Sequence, residues 1–334
     1  MTAPSADRDL SSEALSRKPL RLVFMGTPRF AVPSLERLAG GPDEVVAVVT
    51  QPDRPAGRGQ KLRESAVKVL AKARGLPVLQ PLSARSGELA GSLRSLAPDI
   101  AVVVAYGRIL PTDVISIPRL GCINAHASLL PHLRGAAPIQ RALMAGDSTT
   151  GVTIMRISEQ MDAGDVLLTR VIAIAKDDDA ASLADKLSHA AAEMLADALD
   201  RLAAGPVEET AQDSSTATYA PPISRDEGAL DWSLPAEQLE RLVRAFRPEP
   251  GAFTLHDGLR LKVLKAAVVA TPSEDAPGSV TIRSDGAVCV ACGRGALLLE
   301  EVRPEGGRAM SATDYFRGKG AARGSRLGAV RASA

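Results

Sequence analysis

Three runs in the first third of the chain are apolar at nearly every position: LRLVFMG at 20–26, EVVAVVT at 44–50 and DIAVVVAYG at 99–107. Short β-branched runs without polar alternation belong to strands covered on both faces, as in a parallel sheet. Between them the period lengthens. RFAVPSLERLAG, ESAVKVLAKARG and the stretch around Leu89–Leu96 space apolar residues three and four apart, so each predicts a helix. Pro33 fits the opening turn of the first. Strand–helix alternation of this kind predicts an α/β fold, a doubly wound, mainly parallel sheet with helices on both faces. Strands at 121–125 and 151–157 extend that sheet, and a long Ala-rich helix at 180–204 closes the domain.

After Gly205 the texture changes. PVEETAQDSSTATYAPP, from 206, is polar and turn-rich, which reads as a linker. AEQLERLVRAF then has helical spacing. FTLHDGLRLKVL, VTIRSDGAVCV and CGRGALLLEEV each set a Gly-containing turn between β-rich arms, the signature of hairpins. Three in succession predict a small C-terminal antiparallel β-barrel, with an oligonucleotide-binding-like barrel as one option. The expected organisation is a disordered extension at 1–19, a catalytic domain at 20–205, a linker at 206–224, a barrel at 225–325 and a tail at 326–334.

Composition changes this picture in two places. The chain has 334 residues, is 45% hydrophobic and carries a net charge of +1, so it can bury a sizeable core and is near neutral. Yet residues 51–74 hold seven basic side chains against two acids, and so do residues 303–334. Two basic regions on a neutral chain fit either a solvated surface or a polyanionic partner. Three cysteines do not make a disulfide scaffold, and Cys289–Cys292, a C-x-x-C pair in an apolar run, reads as packing. No apolar stretch is long enough to span a membrane, and residues 1–18 lack a signal-peptide pattern, which points to a cytoplasmic protein.

The candidate chemistry sits in GCINAHASLLPHLRGAAPIQ at 121–140. Asn124 and His126 are two apart, so on a strand both project from one face at the carboxyl end of the sheet, where open α/β folds bind ligands. An amide and an imidazole there can stabilise an oxyanion forming at an acyl carbon, or can simply be satisfied polar groups at a strand end. A metal site is disfavoured, since no histidine lies four residues from His126. MDAGDVLL adds Asp162 and Asp165 in a Gly-containing loop, either as a carboxylate partner for His126 or as turn formers. The first strand–helix turn, Gly26-Thr27-Pro28-Arg29, is no dinucleotide fingerprint, and no Walker lysine motif occurs.

Five segments in order resemble the methionyl-tRNA formyltransferase family: FMGTPRFAVPSL, TQPDRPAGRGQKL, VVVAYGRILP, GCINAHASLLPHLRGAAPIQ and GVTIMRI. The resemblance runs from about residue 20 to 320. It implies Asn124, His126 and Asp162 as the catalytic set, and Ser128, Leu129, Leu130 and Pro131 as folate contacts. It further implies 10-formyltetrahydrofolate as co-substrate, methionyl initiator tRNA as acceptor, no metal and a monomer. The loop with Arg54, Arg58, Lys61 and Arg63 becomes a tRNA-binding loop, Pro and Gly holding it outside helix and sheet. The sequence departs from the family at Ala127 for Gly, His132-Leu133 for Arg-Trp and Ala163 for Thr. A formyltransferase for a small amine, glycinamide ribonucleotide or an amino-sugar nucleotide, would keep the polar triad without needing the basic loop. A formyltetrahydrofolate hydrolase or a non-catalytic RNA-binding protein are the more distant alternatives.

Overall fold

The computed structural model describes residues 17–56, 61–85, 87–269, 275–318 and 325–328. The first elements are β1 (Arg21–Gly26), α1 (Val32–Ala39), β2 (Glu44–Val49), β3 (Arg54–Ala56) and β4 (Lys61–Arg63). Next come α2 (Ala66–Ala73), β5 (Val78–Leu79), α3 (Glu88–Leu96), β6 (Ile100–Val104) and α4 (Thr112–Ile115). β1 pairs in parallel with both β2 and β6, and β2 in parallel with β5. Leu22 to Met25 and the whole of β6 are buried, as apolar runs covered on both faces should be. Pro33 lies in the first turn of α1, and the Ser65 hydroxyl caps α2 by accepting from Lys68 N at 3.0 Å.

One expectation for this region needs correcting. The basic segment enters a sheet: β3 and β4 form an antiparallel ribbon with Arg54 opposite Arg63 and Pro55 opposite Leu62. Each strand of a two-stranded ribbon has one side without a neighbour, and a proline whose nitrogen faces that side costs no ladder bond. Arg58 lies outside the described residues.

The chain continues with β7 (Cys122–His126), β8 (Arg134–Gly135), α5 (Pro138–Ala145), β9 (Thr149–Arg156), β10 (Val166–Ala173) and α6 (Ala180–Ala204). The seven-stranded sheet runs β10-β9-β7-β6-β1-β2-β5, with β10 antiparallel to β9. After α6 come β11 (Tyr219–Ala220), α7 (Ala236–Phe246), β12 (Ala252–His256) and β13 (Leu259–Val269). β14 (Val280–Ile282), β15 (Val288–Ala291), β16 (Ala296–Pro304), β17 (Met310–Ser311) and α8 (Ala312–Gly318) complete the chain.

The chain falls into two compact units, Met1–Ile123 with Ala192–Glu209, and Asn124–Ala191 with Thr210–Ala334. The segment expected as a linker, 206–224, lies mostly in the second unit, from Thr210 onward. Within that segment β11 pairs in parallel with β8, and α7 beyond it packs on α5, which ties residues 124–191 to the C-terminal part of the same unit.

In the second unit the three expected hairpins are present as β12–β13, β14–β15 and β15–β16. The sheet order is β12-β13-β16-β15-β14, with β17 on β16. Residues 325–328, expected at the barrel's end and in the tail, join its two edges. Leu255 and Gly328 exchange backbone hydrogen bonds at 3.2 and 2.9 Å, while Leu327 N donates to Gly278 O at 2.8 Å and Val280 N to Ser325 O at 2.9 Å. The barrel therefore closes and leaves no free edge between β12 and β14. Trp232 Nε1 donates to Thr254 Oγ1, which donates to Gly328 O, so the seam is also pinned from inside.

Cys289 and Cys292 are free and buried, and burial pushes the Cys292 thiol up to about 11, which suits packing. Among the described residues no helix is long and apolar enough to cross a membrane.

Candidate active site

β7 carries Asn124 and His126 on one face at its carboxyl end, as the alternation predicts. His126 is 7% exposed and Asn124 half-buried. The two ring nitrogens of His126 meet different groups. Nε2 lies 2.9 Å from Leu133 O, an atom that can only accept, so Nε2 carries the proton of that bond. Nδ1 faces the Asp162 carboxylate at 3.6 Å, beyond direct hydrogen-bond distance but close enough for charge to act. Among the described residues the Asn124 amide has no hydrogen-bond partner, which leaves it free to donate.

The turn after β7 is built to present these groups. Ser128 Oγ donates to His132 O at 2.5 Å, and Thr153 Oγ1 donates to Ser128 O at 2.7 Å while accepting from Leu130 N at 3.1 Å. Leu129 packs against Gly151, where a Cβ would collide with it. Leu133 has φ +57, a left-handed backbone that costs a bulky residue about 1–2 kcal/mol. That conformation belongs to the turn whose carbonyl receives the His126 proton. Leu133 N in turn donates to Thr218 Oγ1 at 2.8 Å.

Asp162 is held just as firmly. Its Oδ2 accepts from Gly135 N at 2.8 Å, and its own backbone is left-handed at φ +52. Asp and Asn are the non-glycine residues that tolerate this region best. Gly135, at φ +110, sits where a Cβ would lie 2.9 Å from Ala220 O, so only glycine allows the close approach of β8 to β11. Asp165 is exposed, and its carbonyl accepts from Arg156 N at 2.8 Å, which is the turn-forming role.

Sequence reasoning missed Gln212. Its Nε2 donates to Asp162 O at 3.0 Å and to Gly164 O at 2.7 Å, fixing the loop that carries the carboxylate. Its Oε1 accepts from Arg134 Nε and Nη2 at 3.1 and 2.8 Å. Arg134 is 3% exposed, and no carboxylate pairs with it among the described residues. A buried guanidinium without a counter-ion depends on neutral acceptors, and Gln212 is its main one. Gln212 lies in a polar stretch with no periodic pattern, and no sequence signal marked it.

The candidate folate residues Ser128 to Pro131 are one continuous turn: Ser128 is buried, and Leu129, Leu130 and Pro131 leave apolar surface half-exposed. In the other unit, the basic cluster is partly neutralised. Lys68 pairs with Asp53 at 2.6 Å, Lys72 with Glu64 at 3.0 Å and Arg74 with Glu36 at 2.8 Å. Arg54 donates only to the Gln51 amide oxygen, and neither it nor Arg63 has an acidic partner among the described residues. Like charges opposite one another on a ribbon repel, so this pair favours an external anion. Lys61 enters the same ribbon through its backbone. Among the described residues no group of three or more His, Cys, Asp or Glu side chains is arranged to hold a metal ion.

Residues 20–199 match the family model described as formyl transferase, and residues 222–320 match the formyl transferase C-terminal domain. A methionyl-tRNA formyltransferase of Geobacter metallireducens is 46% identical over 309 residues, covering 92% of this chain and 99% of that protein. One from Methylococcus capsulatus is 51% identical over 309 residues, covering 92% and 100%. Among solved structures, HypX of Aquifex aeolicus in complex with tetrahydrofolic acid shares the fold at a TM-score of 0.61 and 19% identity, covering 90% of this chain and 47% of that one. An N-formyltransferase of Helicobacter canadensis with folinic acid and dTDP-3-aminofucose has a TM-score of 0.64 at 17% identity, covering 84% and 98%.

Proposed function

The chain belongs to the formyl transferase family, and we propose that it transfers the formyl group of 10-formyltetrahydrofolate to the α-amine of methionyl initiator tRNA. The observation that carries this reading is the identity of about half, sustained across both matched domains and nearly the whole length of relatives that bear that name. A formyltransferase for a small amine is not favoured by relatives that match the C-terminal barrel as well as the catalytic domain.

The side chains of the site have complementary work. The folate supplies a formyl group on N10. The methionyl amine forms a C–N bond to the formyl carbon, and the carbonyl electrons move onto its oxygen. Asn124, whose amide has no partner among the described residues, donates to that oxygen, and His126 adds positive charge or a proton beside it. Asp162, 3.6 Å from His126 Nδ1, stabilises the charged ring and accepts the proton that the attacking amine must lose, directly or through water. Collapse restores the carbonyl and breaks the bond to N10, which takes up the proton that Asp162 received from the amine, giving tetrahydrofolate and formylmethionyl-tRNA and returning the carboxylate. Ser128 to Pro131 offer backbone and apolar surface to the folate. The Arg54–Arg63 ribbon, with Arg58 and Lys61, contacts acceptor-stem phosphates, and the barrel at 225–325 adds contacts of its own. A cytoplasmic, monomeric enzyme without a metal goes with this reading.

The test supplies 10-formyltetrahydrofolate with methionyl initiator tRNA, glycinamide ribonucleotide, a UDP-amino sugar or no acceptor, and follows formyl transfer. Turnover with the tRNA alone supports the proposal; turnover with either small amine, or formate release without acceptor, defeats it.

A further inference from the structure

We propose that Tyr219 is a stacking platform for the 3′-terminal base of the acceptor RNA. The inference rests on the tRNA reading above and adds a specificity contact to it.

The chain has nine aromatic residues, and Tyr219, at 69% exposure, is the one among them that is exposed. Its exposure does not come from a loose segment. Thr218 O accepts from Arg134 N at 2.9 Å, and Ala220 O from Ala136 N and Ala137 N at 2.9 and 3.2 Å. The carbonyls of Pro221 and Pro222 accept from the Arg141 guanidinium at 3.2 to 3.3 Å. Alternation along this braced strand turns Ala220 inward, fully buried, and leaves the Tyr219 ring outward.

Its position is close to the chemistry. Tyr219 is in register with Arg134, the residue after Leu133, whose carbonyl receives the His126 ring proton. Paired strands lie about 4.8 Å apart, so the ring rises within roughly 10 Å of that carbonyl. In a methionyl ester, seven bonds separate the α-amine from N9 of the terminal adenine, a span of about 8 Å when extended. An amine held at His126 therefore sets its own adenine within reach of Tyr219.

A pterin ring is the competing occupant. Small-ligand sites are concave and bury most of their ligand, whereas Tyr219 is largely exposed. Unpaired bases of RNA are splayed out and stacked on aromatic rings presented in this way. Stacking needs the ring and not the hydroxyl, which separates two substitutions.

The experiment uses the full chain, 10-formyltetrahydrofolate and methionyl initiator tRNA carrying 2-aminopurine at its 3′-terminal base. Tyr219→Ala should raise KM for the tRNA by on the order of 10- to 100-fold, leave KM for the folate unchanged, and abolish the fluorescence quench that the wild-type protein produces. Tyr219→Phe should keep both the quench and the low KM. An Ala variant with wild-type KM and quench overturns the inference while formylation by the wild type leaves the tRNA reading intact. A rise in KM for the folate instead assigns the ring to the pterin and also overturns it. If the wild type fails to formylate methionyl-tRNA at all, the tRNA reading falls, and this inference with it.

Discussion

Asp162 Oδ2 stands 3.6 Å from His126 Nδ1 and accepts the Gly135 N–H at 2.8 Å, so one backbone donor aims the carboxylate at the ring. Asp162→Asn keeps an oxygen for Gly135 and removes the charge; Asp162→Ala removes both. Each should lower kcat by about 100- to 10,000-fold, the range for a lost general acid–base group. Steady-state kinetics with methionyl-tRNA decide this, and an Asn variant with more than a tenth of wild-type turnover would show that the charge is not used.

No described residue holds the Asn124 amide, and its replacement by Ala should leave the fold intact while removing one oxyanion donor. The expected loss in kcat is on the order of 100- to 1000-fold. Folate affinity, measured by titration, should change little, because the donor acts on charge that develops only in the transition state.

Gln212 joins the Arg134 guanidinium to the Asp162 loop, and two substitutions pull those functions apart. Gln212→Ala strands a buried cation and two carbonyls, and should cost about 1–3 kcal/mol in unfolding free energy along with turnover. Gln212→Glu still accepts from Arg134 but no longer donates to Asp162 O or Gly164 O. Its melting temperature should lie between that of the Ala variant and the wild type, because the guanidinium regains its acceptor while the two carbonyls stay unpaired, and its turnover stays low. Equal recovery of both would mean that Gln212 does not position the carboxylate.

The Arg54–Arg63 pair should meet phosphate. Replacing both with Ala should weaken methionyl-tRNA binding and flatten its salt dependence, each lost phosphate contact reducing the log–log slope by about 0.7–0.9. Arg58→Ala should likewise reduce tRNA-dependent turnover and spare folate binding. Filter binding across a salt series measures the slope, and a slope equal to the wild type would remove the ribbon from the interface.

Asp178 links acidity to stability. Burial alone would raise its pKa, but Lys186 at 2.7 Å, the Ser182 hydroxyl and Ala175 N outweigh that and hold it below its ordinary 3.8. A carboxyl depressed in the folded state adds stability that is full above pH 3.8 and is lost as pH falls through the lower, folded value. Asp178→Asn should therefore melt lower at neutral pH and show a shallower loss of melting temperature in acid, as followed by circular dichroism.

Much of this was legible in the sequence for a plain physical reason. Buried parallel strands must be apolar throughout, amphipathic helices must repeat near 3.6, and hairpins need Gly or Asp at their turns, so β1, β2, β6, α7 and the three hairpins announce themselves. Asn124 and His126 were legible because strand alternation puts residues two apart on one face. The illegible features depend on distant partners. Gln212 is a polar residue in a polar stretch, and only the fold brings Arg134 and Asp162 to it. The left-handed backbone of Leu133 has no local signature, since leucine rarely adopts it. Residues 325–328 close the barrel with a few backbone bonds, too short a run to show any period.

The bracing of the β8 turn by β11 carries a consequence for how the protein folds. Leu133 and Thr218, joined by a hydrogen bond, are separated by 85 positions in the chain. Loop closure over such a distance is entropically slow, and contacts of this kind delay folding more than they weaken the final state. The sheet strands up to β7 can assemble from nearer neighbours, but the turn beside His126 gains its support only when residues 210–220 arrive. The molecule should thus pass through a stage in which its scaffold is formed and its chemistry is not, so that secondary structure returns in refolding before activity does.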